Sequence, residues 1–255
     1  MRAPRVSVEW RRSRVETPQQ IAARMFRMLT GLAAIDDCFA HWYKQGRSLK
    51  GAYRPAWQMP PEMGDLARAF EKAIARDLEG RVLGIGLSAW NGRRDGLGLV
   101  FTFYQETVIS FRLVPNMCEI ILPVIGDDGR PMSLSMAKVV LRVMADAWDA
   151  DYGGICSFGY RPPAAQTEPG PLFWCMWMTY LSAELTARFV SPTGALAEPG
   201  PASGLIVQLT EAPFDEHDPH HVAMMNAMYR ALLAAYGPSP DWREMDQARA
   251  RLGWE

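Results

Sequence analysis

The sequence predicts an α+β fold: largely antiparallel sheet, in one or more sheets, with packed helices. Three observations carry that expectation. A short alternating strand is followed by a capped amphipathic helix. Several short apolar runs with brief connections then crowd residues 82–123, as in an antiparallel meander. Strands and helices are mixed thereafter, without the regular βαβ alternation of a parallel sheet.

Arg5 to Trp10 alternates Val6, Val8 and Trp10 with polar residues, the period of a strand. Thr17-Pro18-Gln19-Gln20 reads as a helix start: Thr17 caps, Pro18 suits the first helical position and Gln20 completes a capping box. Ile21, Met25, Met28, Leu29, Leu32 and Ile35 then recur at helical spacing. Gly46 to Pro61 reads as a loop. Glu62 to Leu78 reads as a helix with Leu66, Ala69, Phe70, Ala73 and Ile74 as its apolar stripe and Gly80 as its terminator.

Val82 to Trp90 is the first strand of the meander, and Asn91-Gly92 is a strong turn dipeptide. Leu97 to Tyr104, Thr107 to Val114 and Met117 to Pro123 follow as strands, with a turn at Gly126 to Gly129. Ser133 to Trp148 has helical periodicity. Tyr152 to Phe158 is a strand, Pro162 to Pro171 a loop, Phe173 to Tyr180 a strand and Ser182 to Phe189 a short helix. Gly194 to Gly204 reads as a Pro/Gly-rich loop and Leu205 to Thr210 as a strand. A helix opens at Asp218 or Pro219 and reaches Tyr236, with Val222, Met225, Tyr229, Leu232 and Tyr236 on one face; Gly237 to Glu255 reads as a short terminal helix.

Composition narrows the function. The chain has 255 residues, 49% hydrophobic and 22% charged, an ordinary globular balance. A net charge of −1 gives no global field toward nucleic acid or anionic lipid, so neither direct nucleic-acid binding nor membrane association is expected. Cys38, Cys118, Cys156 and Cys175 form no CxxC pair and sit in apolar sequence, which predicts reduced, buried thiols and a cytoplasmic location. The N-terminal arginines precede no apolar signal-peptide core, and the most apolar stretch, Leu172 to Leu185, is too short to span a bilayer.

Chemistry-bearing clusters are few. His217, His220 and His221 lie among Asp215, Glu216 and Asp218; His217 and His221 are four apart and could share a helix face and hold zinc. The same residues also read as a helix start, with Asp218 as cap before Pro219. Asp146, Asp149 and Asp151 could pair for acid–base work or end a helix. Gly84-Ile85-Gly86 and Gly96-Leu97-Gly98 lie in strands with no helix behind them, so neither is a phosphate loop. No GxSxG elbow is present, and His41 among Phe39, Trp42 and Tyr43 reads as a packed or rim histidine. The chain is expected to be no enzyme, with no cofactor and no resident metal. The 9 tryptophans and 15 methionines supply core and are also residue types suited to interfaces.

Several segments, in order, resemble the immunity protein 52 family of bacterial toxin–antitoxin competition. They are Leu32-Ala33-Ala34-Ile35-Asp36, Phe39-Ala40-His41-Trp42, Leu87-Ser88-Ala89-Trp90-Asn91-Gly92 and Ala147-Trp148-Asp149-Ala150-Asp151-Tyr152-Gly153. Trp177-Met178-Thr179-Tyr180-Leu181-Ser182 and Thr210-Glu211-Ala212-Pro213-Phe214-Asp215 complete the pattern, while Gly153-Gly154 and Cys175-Met176-Trp177 depart from it. The resemblance covers about residues 5–236 of a single 1–255 immunity domain, with 237–255 as a C-terminal extension. It implies a protein that binds and neutralises a cognate toxin, a nuclease of restriction-endonuclease-like fold, often delivered by type VI secretion. Trp90, Trp148 and Trp177 are expected to support the fold.

A nuclease exposes basic groups for phosphate, so an inhibitor's contact should be acidic. Asp127, Asp128, Asp215, Glu216 and Asp218 are the candidate toxin-binding residues, each in a loop or at a helix start. Two other function classes compete: a zinc hydrolase built on His217, His220 and His221, and a secretion adaptor docking through its Pro-rich loops.

Overall fold

The computed structural model describes residues 4–10, 16–44, 55–57, 62–76, 78–80, 82–92, 100–106, 116–122, 133–157, 162–168, 173 and 175–238. Its strands are β1 (Pro4–Trp10), β2 (Trp42–Lys44), β3 (Pro55–Trp57), β4 (Ile74–Arg76), β5 (Val82–Trp90), β6 (Val100–Glu106), β7 (Asn116–Ile121), β8 (Tyr152–Ser157), β9 (Met178–Leu181), β10 (Leu196–Pro199) and β11 (Leu205–Gln208). They form one sheet in the order β10-β11-β9-β8-β1-β7-β6-β5-β2-β3, with β4 beside β5, and every described pairing is antiparallel. The helices are α1 (Pro18–Ala33), α2 (Met63–Lys72), α3 (Leu134–Trp148), α4 (Ala183–Thr186) and α5 (Pro219–Tyr236). The α+β expectation holds.

The alternation of β1 sorts the layers. Val6, Val8 and Trp10 are fully buried on one face, where α1 and α3 pack. Trp10 stacks on Trp148 at the end of α3, with ring centroids 5.1 Å apart and planes 2° from parallel. The Trp148 indole N–H donates to Met28 Sδ of α1 at 3.1 Å, and the Cys118 thiol of β7 reaches the same sulfur at 3.6 Å. The opposite face carries Arg5, Ser7 and Glu9, with Tyr152 of β8 across from Glu9. There Tyr152 stacks on Phe173, whose ring meets Tyr236 of α5 edge-on at 5.1 Å. Helices therefore cover both sides of the sheet.

Three N-termini form where the sequence places them. Thr17 accepts from the Gln20 N–H at 3.3 Å while the Gln20 side chain accepts from the Thr17 N–H at 2.8 Å, a reciprocal box. Ser133 caps α3 through the Met136 N–H, and Asp218 caps α5. The α5 face is displaced from the expected stripe: His221, Met224 and Met228 join Met225, Tyr229 and Leu232 in the interior, while Val222 is half-buried.

Other boundaries differ from expectation. The helix expected over Glu62 to Leu78 ends at Lys72, because Ile74–Arg76 pairs with β5. Sheet pairing outweighs the helical pattern there. Gly80, at φ +81, turns the chain back, and Arg76 Nη1 donates to its carbonyl at 2.8 Å. Within the expected loop Gly46 to Pro61, Pro55–Trp57 pairs with β2. Within the expected loop Gly194 to Gly204, Leu196–Pro199 pairs with β11. Both are edge strands, where proline needs no ladder partner on its open side. The strand expected from Phe173 begins only at Met178, and the loop at Pro162 contains a 3₁₀ turn, Pro163–Gln166. The strand expected over Thr107 to Val114 and the turn at Gly126 to Gly129 lie outside the described residues, as does the segment from residue 239 onward.

Candidate functional site

The loop from β11 into α5 is built to hold acidic side chains in water. Thr210 and Gln208 are tied down by hydrogen bonds at its start: Gln208 Nε2 donates to the Thr210 carbonyl at 2.7 Å, and the Thr210 hydroxyl to the Ala212 carbonyl at 2.8 Å. Phe214 is buried and lies against the His221 ring, centroids 6.1 Å apart. The Asp215 N–H donates to His221 Nδ1 at 3.0 Å, and the Asp215 carboxylate accepts from the His217 N–H at 2.9 Å. Glu211, Asp215 and Glu216 are exposed on this frame. Asp218 is occupied as the cap, accepting from the His220 and His221 N–H groups at 2.8 and 3.4 Å. The hydrogen bond from the His220 backbone is the main reason its carboxyl lies below the usual carboxylate range.

His221 is thus a structural histidine, 9% exposed, with Nδ1 as acceptor and Nε2 3.8 Å from Asp218. His217 precedes the helix, so the two do not share a helix face. Among the described residues no three His, Cys, Asp or Glu side chains come together to hold a metal.

The carboxylates at the end of α3 do not form a helical pair. Asp149 leaves the helix at φ 49, in the left-handed region. The Tyr180 pKa is pushed up to about 12, first by burial and then by the charges of Asp149, Asp151 and Asp146. Arg27 Nη2 of α1 donates to the Ala147 carbonyl at 3.1 Å, which offsets the negative end of α3. The thiols are not poised as nucleophiles: burial pushes Cys118 and Cys175 well up and Cys156 to about 11. No cysteine is in a disulfide.

A second surface lies where β2 meets the end of β5. A 3₁₀ turn, Asp37–Phe39, precedes β2, and Asp36 caps it by accepting from the Cys38 N–H at 2.8 Å. The Trp42 indole donates to the Phe39 carbonyl at 3.0 Å, and buried Asn91 donates through Nδ2 to the Cys38 carbonyl at 3.2 Å. Gly92 follows at φ +77, with the Tyr43 ring 2.5 Å from where a Cβ would stand. Together they enclose a recess of about 410 Å³ with Asp37, His41 and Tyr43 at its sides. Tyr43 and Trp90 lie 6.3 Å apart, and Trp90 is half-buried, whereas Trp148 and Trp177 are core.

Register relates the two surfaces. Trp90 pairs with Val100, Val100 with Ile121, Ile121 with Arg5 and Arg5 with Cys156; one strand further on, Met178 pairs with Gln208. Asn91-Gly92, following β5, and the β11–α5 loop therefore leave the same end of the strands. β7 also ends there, at Ile121; Asp127 and Asp128 lie outside the described residues. The sequence reading named Asp215, Glu216 and Asp218 but missed Asp37, Tyr43 and Asn91 as neighbours. The Phe39–Trp42 and Leu87–Gly92 segments were visible separately, and only strand pairing joins them.

Among solved structures, the Pseudomonas aeruginosa T6SS protein PA0821 is similar over 98% of this chain and 87% of its own, with a TM-score of 0.53 and 11% sequence identity, a likeness of fold. No curated protein matches. The profile of the family described as immunity protein 52 matches residues 6–237, and on that match the chain belongs to the immunity protein 52 family.

Proposed function

We propose that this protein neutralises a nuclease toxin of restriction-endonuclease-like fold, in the cytoplasm, by covering the toxin's active surface and without transforming any substrate. The family match over residues 6–237 carries the immunity role. The likeness of fold to the Pseudomonas aeruginosa T6SS protein PA0821 supports a toxin delivered by that system. A binding role also agrees with thiols held protonated by burial and with His221, whose ring is engaged in bracing the loop.

The contact is acidic. Asp215 and Glu216 project from a hydrogen-bonded loop, so little freedom is lost when a basic partner arrives. Asp218 holds that loop's exit. Asp127 and Asp128 belong to the same proposal on sequence grounds. Such charges speed encounter more than they tighten the final complex.

Protection is the decisive assay. Cells producing the toxin encoded by the adjacent gene should survive only with this protein present. Replacing Asp215 and Glu216 by lysine should slow association by about tenfold at low salt, with the deficit shrinking as salt is raised. Toxin-producing cells that die equally with and without the protein would refute the role.

A further inference from the structure

We infer that the recess between the Asp37–Phe39 turn, β2 and Asn91-Gly92 takes a cationic side chain, an arginine, from the toxin; this rests on the immunity reading. The recess has a volume of about 410 Å³, enough to seat a long side chain. Its described lining is Asp37, Cys38, Ala40, His41, Tyr43, Asn91 and Gly92, with no lysine or arginine among them. The Asp37 carboxylate and the His41 ring are exposed and have no hydrogen-bond or ion-pair partner among the described residues. An acidic group beside an aromatic wall fits guanidinium, which pairs with carboxylate through its planar edge and stacks on a ring through its face.

The walls are fixed before any partner arrives. Hydrogen bonds hold the turn, among them those donated by Cys38 to Asp36, by Trp42 to Phe39 and by Asn91 to Cys38. Gly92 lets the Tyr43 ring close against the backbone. A preformed pocket loses little entropy on filling, which is the property of an anchor site. The recess also opens at the strand end from which the acidic β11–α5 loop departs. Asp37 and the acidic loop thus offer a basic partner carboxylates at the same end of the strands.

The test uses the full chain. Nα-acetyl-arginine-amide is titrated while the Tyr43 and His41 ring resonances are followed by NMR, with Nα-acetyl-norleucine-amide as the uncharged control. Saturable shifts with the arginine probe alone, lost in Asp37→Asn, are expected. The toxin from the adjacent gene is then titrated with wild type, Asp37→Ala and Asp37→Arg. The dissociation constant should rise by about tenfold or more for Asp37→Ala and further for Asp37→Arg, with unchanged circular dichroism. A wild-type complex whose affinity moves less than about twofold in both variants overturns the arginine pocket and leaves immunity standing. No wild-type complex at all overturns both. Equal shifts with the two amides would make the recess an apolar site and overturn its cationic assignment.

Discussion

Gly92 and Tyr43 set the shape of the recess between them. At φ +77 an alanine would be strained, and its Cβ would meet the ring 2.5 Å away. Gly92→Ala is expected to cost about 2 kcal/mol, seen as a lower urea midpoint at unchanged slope. An unmoved midpoint would mean the turn relaxes freely. The dipeptide Asn91-Gly92 announced a turn in the sequence, but nothing local announced that Tyr43 would close on it. Gly153 and Gly154 follow the same logic at the centre of the sheet. A Cβ on Gly153 would stand 2.7 Å from the Ser7 carbonyl, and one on Gly154 would press on the Met178 carbonyl and the Met176 sulfur. These glycines, read in the sequence as a departure from the family pattern, are demanded by close strand approach and by Met176 in the segment that enters β9. The Trp148–Met28 contact was likewise illegible, because a thioether accepting an indole N–H leaves no periodic trace.

Helix starts were the most legible elements, because a cap is a local interaction between residues two or three apart. The α1 box illustrates its worth: Thr17→Ala removes one of the two reciprocal bonds and should destabilise by about 1 kcal/mol, measured by thermal or urea unfolding. No change would show that the helix end is held by tertiary contacts instead. Helix α2 and the edge strands were less legible for the converse reason. Ile74 continues the apolar stripe of α2, yet its backbone is claimed by β5, 11 residues further along at Ile85. Leu196–Pro199 reads as loop from its Pro and Gly neighbours, and becomes a strand because β11 lies beside it. Glu198 there is bound by Lys138 at 3.1 Å and Arg142 at 2.8 Å, which fastens the sheet edge to α3. Asp215 and Glu216 were legible as an exposed acidic loop; His221 as its internal brace was not, since its role depends on the fold of the loop around it.

At the scale of the whole molecule, two kinds of carboxylate should bend the stability–pH curve in opposite directions. The bonds from Arg142 and Lys138 outweigh partial burial and lower the Glu198 pKa from 4.5. Its contribution is therefore complete above 4.5 and is lost as pH falls through the folded-state value. Burial raises the Glu119 pKa from 4.5, partly countered by Arg5 at 3.1 Å. The folded state then favours the protonated acid, so that contribution is present at low pH and lost as pH rises through the folded-state value above 4.5. Urea melts across pH should show Glu119→Gln removing the loss on the alkaline side of 4.5 and Glu198→Gln removing the loss on its acid side. Superimposable curves would contradict both assignments. Among the described residues no helix is long and apolar enough to cross a membrane.

On the proposed reading, this chain works by occupying another protein. Calorimetric titration of the purified chain with a catalytically disabled form of its cognate toxin, followed by assay of the active toxin in the presence of the chain (DNA cleavage for the proposed nuclease), tests this directly. A dissociation constant of about 1 nM or tighter, with cleavage abolished at stoichiometric protein, is the predicted result. No measurable binding, or a tight complex in which the toxin still cleaves at its full rate, would contradict it.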